Sequence, residues 1–179
     1  MQEDRTARFE ALYAATFHHL LGYAMRRCDC AEDAADVVAE TFAVTWRRLD
    51  AVPPGDQARL WLYGVARNVL AAHRRGAARR RDLSYALVGD LAGFYAPSAE
   101  DSADLGSLGP ALRLLPEEDR ELLSLVAWEG LDHGEIAAVL GVSRNAVRIR
   151  LHRARKRLTR QLAESGDVPD RPAMSGRPR

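Results

Sequence analysis

The sequence predicts an all-α chain of two small helical units joined by a flexible linker. Three observations point there. Apolar residues recur at helical spacing along most of the chain, and no alternating strand pattern is evident. From Leu83 to Pro110 that pattern lapses into a stretch punctuated by Gly89, Gly93, Pro97, Gly106, Gly109 and Pro110, with four acids and no base. A loop of that length inside one compact domain is unusual, so it reads as a linker. Basic residues gather in two separated runs, Arg67 to Arg81 and Arg144 to Arg160, on a chain whose net charge is only +1. Two cationic patches on a near-neutral chain suggest two contacts with a polyanion. Hydrophobic residues make up 47% and charged residues 28%, the balance of a globular protein with a real core.

Phe9, Leu12, Tyr13, Phe17, Leu20, Leu21 and Ala24 outline a first amphipathic helix. Ala34 to Leu49 outlines a second, carrying Val37, Val38, Thr41, Phe42, Val44 and Trp46. Pro53, Pro54 and Gly55 break the chain. A third helix runs from Gln57 to about Arg75, with Leu60, Trp61, Leu62, Val65, Val69 and Ala72 as its apolar surface. After the linker, Leu112 to Leu115 turn through Pro116 into a helix whose first turn holds Glu117 and Glu118. Leu122, Leu123, Leu125, Val126 and Trp128 make that helix apolar, and Gly130 ends it.

The next segment is the most specific. Asp132 caps a short helix, with Glu135 three residues on to close a capping box. Ile136, Ala137, Val139 and Leu140 give the helix a buried side. Gly141 supplies the left-handed residue of a tight turn, and Ser143 caps the following helix. Helix, glycine turn, helix is the helix-turn-helix pattern, predicted from about Asp132 to Arg157. From Ser143 to Arg160 there are eight basic residues and no acid. At ~100° per residue, Val147, Leu151, Ala154 and Leu158 fall on one side. Asn145, Ile149, His152, Arg153 and Lys156 fall opposite, with Arg148 and Arg155 on one flank and Arg150 and Arg157 on the other. A major groove takes such a face, with base edges in front and phosphates on either side. A solvated basic face is the bland alternative; it does not account for the caps, the turn and the missing acids together.

Cys28 and Cys30 stand too close to bridge without strain, and His18 and His19 upstream do not complete a metal-ligand pattern. They read as reduced thiols near a helix end, with no metal and no cofactor expected. No phosphate loop or nucleophile–base pair supports an enzyme. With no apolar run near ~18 residues and no apolar signal core, membrane insertion is not expected and the location reads as cytoplasmic. The tail 163–179, rich in Pro, Gly, Ser and charge, reads as disordered.

The segment Ala34-Ala-Asp-Val-Val-Ala-Glu-Thr-Phe-Ala-Val-Thr-Trp46 resembles region 2.2 of bacterial RNA polymerase sigma factors, and Arg59-Leu-Trp-Leu-Tyr-Gly-Val-Ala-Arg-Asn-Val-Leu70 resembles regions 2.3 and 2.4. Leu115-Pro-Glu-Glu-Asp-Arg-Glu121, Gly134-Glu-Ile-Ala-Ala-Val-Leu-Gly-Val-Ser143 and Leu151-His-Arg-Ala-Arg-Lys-Arg-Leu158 resemble region 4. The order, the spacing and the small size look like the extracytoplasmic-function (group 4) branch of the sigma-70 family. The resemblance implies region 2 over residues 1–82, a flexible acidic linker over 83–110, region 4 over 111–162 and the tail beyond.

It also implies the partners: core RNA polymerase, held through its β′ clamp helices and β flap; promoter DNA; and an anti-sigma factor. Asp36, Glu40, Phe42 and Trp46 match the residues that form or support the β′ contact. Arg67, Asn68, His73, Arg74 and Arg75 match the surface that meets the −10 element, beside which Trp61 would offer a ring for an unpaired base to stack on, and the loop 51–56 matches the place where a flipped base is captured. Arg144, Asn145, Arg148, Ile149, His152, Arg153 and Lys156 would meet the −35 element. Trp61 serves equally well as a core residue. The acidic linker, with Glu100, Asp101 and Asp104, would occupy the cationic interior of the polymerase. The chain departs from the family pattern at Ala39, Ala72, Asn145, Ala146 and Ile149, and the last three argue against carrying over the family's usual −35 sequence. The competing expectation is a stand-alone helix-turn-helix regulator that binds a palindrome as a dimer.

Overall fold

A computed structural model describes residues 2–87 and 108–164, with the backbone alone at residues 2 and 77–87. Seven α-helices and no strand occur among the described residues: α1 Gln2–Met25, α2 Ala31–Arg47, α3 Gln57–Leu87, α4 Leu108–Arg113, α5 Glu117–Ala127, α6 His133–Leu140 and α7 Arg144–Glu164. The bulk of the expected linker and the expected disordered tail lie outside the described residues.

The first unit is α1, α2 and α3, each packed on the other two. Leu20, Tyr23 and Ala24 of α1 meet Val37, Val38 and Phe42 of α2 and Leu62, Tyr63, Ala66 and Leu70 of α3. α2 is capped by Cys30, whose Sγ accepts the Asp33 amide at 3.5 Å. The thiol thus takes the place of the usual hydroxyl or carboxylate cap. Cys28 is half-buried, and burial pushes its thiol up to about 11, so it stays protonated. Thr41 and Thr45 are buried in α2 at no polar cost, since each hydroxyl donates to the carbonyl four residues back at 2.7 Å. A 3-10 turn, Leu49–Ala51, then leads to Gly55, whose φ of 62° lets the chain reverse into α3.

Two boundaries differ from expectation. α3 does not stop near Arg75 but continues to Leu87, because residues 77–87 contain strong helix formers and neither Gly nor Pro. α4 begins at Leu108, inside the expected linker. Its Gly109-Pro110 reads as a breaker, yet proline in the first turn of a helix loses no hydrogen bond, and Ala111 and Leu112 just beyond are buried.

The second unit packs α7 on α4, α5 and α6 around Leu122, Leu125, Ile136, Val147, Leu151 and Ala154. Arg157 of α7 is tied to the buried carboxylate of Asp119 in α5. That correction removes Arg157 from the expected phosphate-gripping flank: it is a brace between two helices. The two units touch, with α6 lying on α3 where Gly64 faces the Val139 carbonyl. A Cβ at Gly64 would stand 3.5 Å from that oxygen, so nothing much larger than alanine fits without parting the helices.

Candidate nucleic-acid interface

The helix-turn-helix forms as its capping residues dictate. Asp132 accepts the amides of Gly134 and Glu135, while the Glu135 carboxylate accepts the Asp132 amide at 2.8 Å, closing the capping box. Gly141 adopts φ 66° and carries the chain out of α6. Ser143 Oγ accepts the Ala146 amide at 3.2 Å and starts α7. The side chain of Asp132 is held below the usual carboxylate range by the Glu135 and then the Gly134 amide. Its folded-state pKa is therefore lower than its unfolded one, so its stabilisation is present above the unfolded value and fades as pH falls through the folded one. Asp132→Ala is expected to lower the melting temperature at neutral pH, with the deficit closing as the pH is taken below the carboxylate range. A deficit independent of pH would show that the cap acts without its charge.

α7 lies as the helical wheel predicts. Val147, Leu151 and Ala154 are buried, and Leu158 packs partly against the same core. Arg144, Asn145, Arg148, Ile149, His152, Arg153 and Lys156 are all exposed on the opposite side, Ile149 to 40%. Arg148 donates to Asn145 Oδ1 at 3.0 Å, fixing one flank. A shallow concavity is lined by His133, Arg148, Ile149, His152, Arg153 and Arg155. His133, at the first turn of α6, escaped the sequence reading because nothing in the sequence brings α6 beside the middle of α7.

The six expected −10 residues do not share one surface. Trp61 is half-buried and packs against both apolar clusters, including Leu49 and Val52, so it is a core group and not an open stacking platform. Arg67 and Asn68 are exposed. His73 turns toward the start of α2, with Nε2 3.5 Å from Asp33 Oδ1. Arg67 and Arg74, seven residues apart and thus on one side of α3, line a cavity whose opposite wall is Glu117, Glu118 and Glu121 of α5. Asn68 and Arg75 form the neighbouring exposed strip. The expected polymerase-facing residues also divide. Asp36 and Glu40 are exposed along the outer face of α2, with Ala39 between them. Phe42 is buried beneath Phe9 and Tyr13, with ring centroids 6.1 and 4.6 Å away, so it supports the face without reaching a partner. Trp46 is half-buried, edge-on to Phe9 at 5.2 Å with the Arg5 guanidinium 5.3 Å over its ring.

Comparison with known proteins adds the following. Residues 12–80 match the family model of sigma-70 region 2, and residues 106–158 that of sigma-70 region 4. The chain is 32% identical to the ECF RNA polymerase sigma factor SigL of Mycobacterium tuberculosis, over 89% of this chain and 92% of that one. It is 33% identical to the sigma factor CnrH of Cupriavidus metallidurans, over 73% of each. Among solved structures, it resembles the sigma factor RpoE of Bartonella quintana in complex with the anti-sigma factor NepR. The TM-score is 0.66 and the identity 25%, over 87% of this chain and 96% of that one. It also resembles CnrH in complex with the cytosolic domain of CnrY, with TM-score 0.64 and 28% identity over 87% and 88%.

Proposed function

The chain belongs to the sigma-70 family, in its extracytoplasmic-function branch, and on that premise we propose that it is the dissociable specificity subunit that directs core RNA polymerase to promoters and starts transcription there. The observation that carries the DNA-reading half is the outer face of α7, exposed from Arg144 to Lys156 without one acid. Arg144, Asn145, Arg148, Ile149, His152, Arg153 and Lys156 of that face read the −35 element. Guanidinium forks suit guanine edges and phosphates, and Ile149 offers the apolar contact that a thymine methyl takes.

In the other half, Asp36 and Glu40 meet the β′ clamp helices, with Phe42 and Trp46 holding α2 in shape behind them. Arg67, Asn68, Arg74 and Arg75 serve the −10 element, with His73 braced at their edge by Asp33. Opening a promoter costs unpairing energy, and a flipped base must be held once it leaves the stack. The loop 51–56 takes that base. The protein supplies recognition and strand capture and no catalysis of its own; it works in the cytoplasm beside the polymerase, and an anti-sigma factor is its negative partner. Among the described residues, no helix is long and apolar enough to cross a membrane.

Run-off transcription with purified core polymerase and a set of candidate promoters tests this reading. The expected result is transcripts only when the chain and the core enzyme are both present. A chain that never associates with core polymerase, or that binds a palindromic duplex tightly by itself as a dimer, would instead be a regulator.

A further inference from the structure

The connection from α2 to α3 is anchored from the start of α1. Leu49 and Val52 are buried with Ala58 in a small apolar cluster of their own, against which Phe9 and Leu12 of α1 pack, together with Trp46 and Trp61. Arg5, Arg8, Phe9 and Leu12 follow one another at i, i+3, i+4 and i+7, so one face of α1 supplies both the charged and the apolar contacts. Arg5 Nη2 donates to the Trp46 carbonyl at 2.7 Å, and Nη1 to Asp50 Oδ2 at 3.1 Å. Arg8 Nη2 donates to the Val52 carbonyl at 2.8 Å.

These contacts are not equal. The Asp50 side chain is 86% exposed, so its ion pair with Arg5 contributes little. The bonds to carbonyls are charge-assisted and hold the backbone itself. Trp46 lies in the last turn of α2 and Val52 ends the 3-10 turn, so both carbonyls stand where helical partners run out. Arginine near a helix end is suited to such acceptors. Beyond them the chain is stiff by composition. The Val52 amide donates to the Leu49 carbonyl at 3.2 Å, Pro53 and Pro54 fix two successive φ angles, and Gly55 makes the reversal. A base outside the stack is discriminated by contacts to its edge, and such a site must be held to within about 0.5 Å.

We infer that Arg5 and Arg8 are positioning residues for base selection: they hold the loop 51–56 in the register at which it discriminates the captured base. They act through the backbone of the connection and not on the base. The inference rests on the reading of loop 51–56 as the place of base capture.

The test uses holoenzyme assembled with the full chain and a pool of single-stranded DNA randomised across the −10 element. Sequencing of the bound fraction gives the preference at each position. The wild type should enrich one base at the captured position about tenfold or more, the discrimination that good edge contacts provide. Arg5→Ala with Arg8→Ala should cut this to about threefold or less, with the preference at other positions and co-elution with core enzyme kept. Arg8→Ala alone serves should the double variant lose its helical signal. Arg8→Lys, which keeps a charged donor, should stay close to the wild type. Pro53→Gly with Pro54→Gly loosens the loop from within, leaves both arginines in place, and should flatten the same position. Unchanged preference in a folded arginine variant overturns the proposal. An even loss at all positions also overturns it, marking a merely structural role, or a direct phosphate contact if the salt slope falls as well. If the proline variant flattens the position and the arginine variant does not, the loop reads the base and the anchoring role alone falls. If neither does, or if the wild type enriches no base, the loop is not the reader and the underlying reading falls too.

Discussion

Asp36→Arg combined with Glu40→Arg is expected to abolish stable association with core RNA polymerase, raising the dissociation constant by ~10²-fold or more. The two carboxylates are exposed one turn apart on α2, and among the described residues no ion pair engages either of them. Surface substitutions of that kind usually shift stability by no more than about 0.5 kcal/mol. Truncating a charge in a desolvated, hydrogen-bonded interfacial pair costs about 2–5 kcal/mol, and reversing it adds repulsion. The interfacial effect should therefore exceed the folding effect several-fold. Co-elution with core enzyme in gel filtration reads the first, and thermal melting followed by circular dichroism reads the second. Normal co-elution of a folded double variant would remove Asp36 and Glu40 from the polymerase contact.

Replacing Arg148, His152 and Arg153 together by alanine is expected to reduce initiation at promoters that depend on a −35 element by ~10²-fold or more, while association with core polymerase persists. A good bidentate contact to a base edge is worth about 1–3 kcal/mol, and three neighbouring losses add incompletely. All three side chains are exposed on α7, and the helix is held from behind by Val147, Leu151 and Ala154, so alanine costs little folding. Footprinting of the holoenzyme should show protection lost upstream and kept downstream. Loss of polymerase binding along with the upstream footprint would mean that the two halves do not divide the work. Within the face, the residues should separate by chemistry. A side chain that reads bases changes sequence preference, whereas one that grips phosphate lowers the salt slope of binding by about one unit without changing preference.

The helix-turn-helix was legible almost residue by residue. Asp132 with Glu135, Gly141 and Ser143 are local devices, each satisfying backbone groups within three or four positions of itself, and local rules therefore find them. The outward face of α7 followed from the same logic, because a helix with one apolar side has only one way to lie on a core. What the local rules left open depended mostly on partners distant in sequence. Arg157 carries the same charge as Arg153, and only the approach of Asp119 from α5 makes it a brace. Trp61 and Phe42 sit among motif residues, and only their neighbours decide that they pack inward. Cys30 is the local exception: its thiol caps α2 through the Asp33 amide three residues on, a residue type that capping rules do not favour.

The sequence by itself determined the all-α class, the helix-turn-helix with the exposed basic face of its second helix, and the family, because periodicity, capping and motif order are properties of short stretches. The tertiary structure alone decided where the two units lie on one another. Arg26 and Arg27 are an ordinary basic pair in the sequence, and Glu121 and Glu129 ordinary acids about a hundred positions away. Their significance arises from burial: once α6 comes to rest on α3, water leaves the seam, and each charge must find its opposite in the other unit.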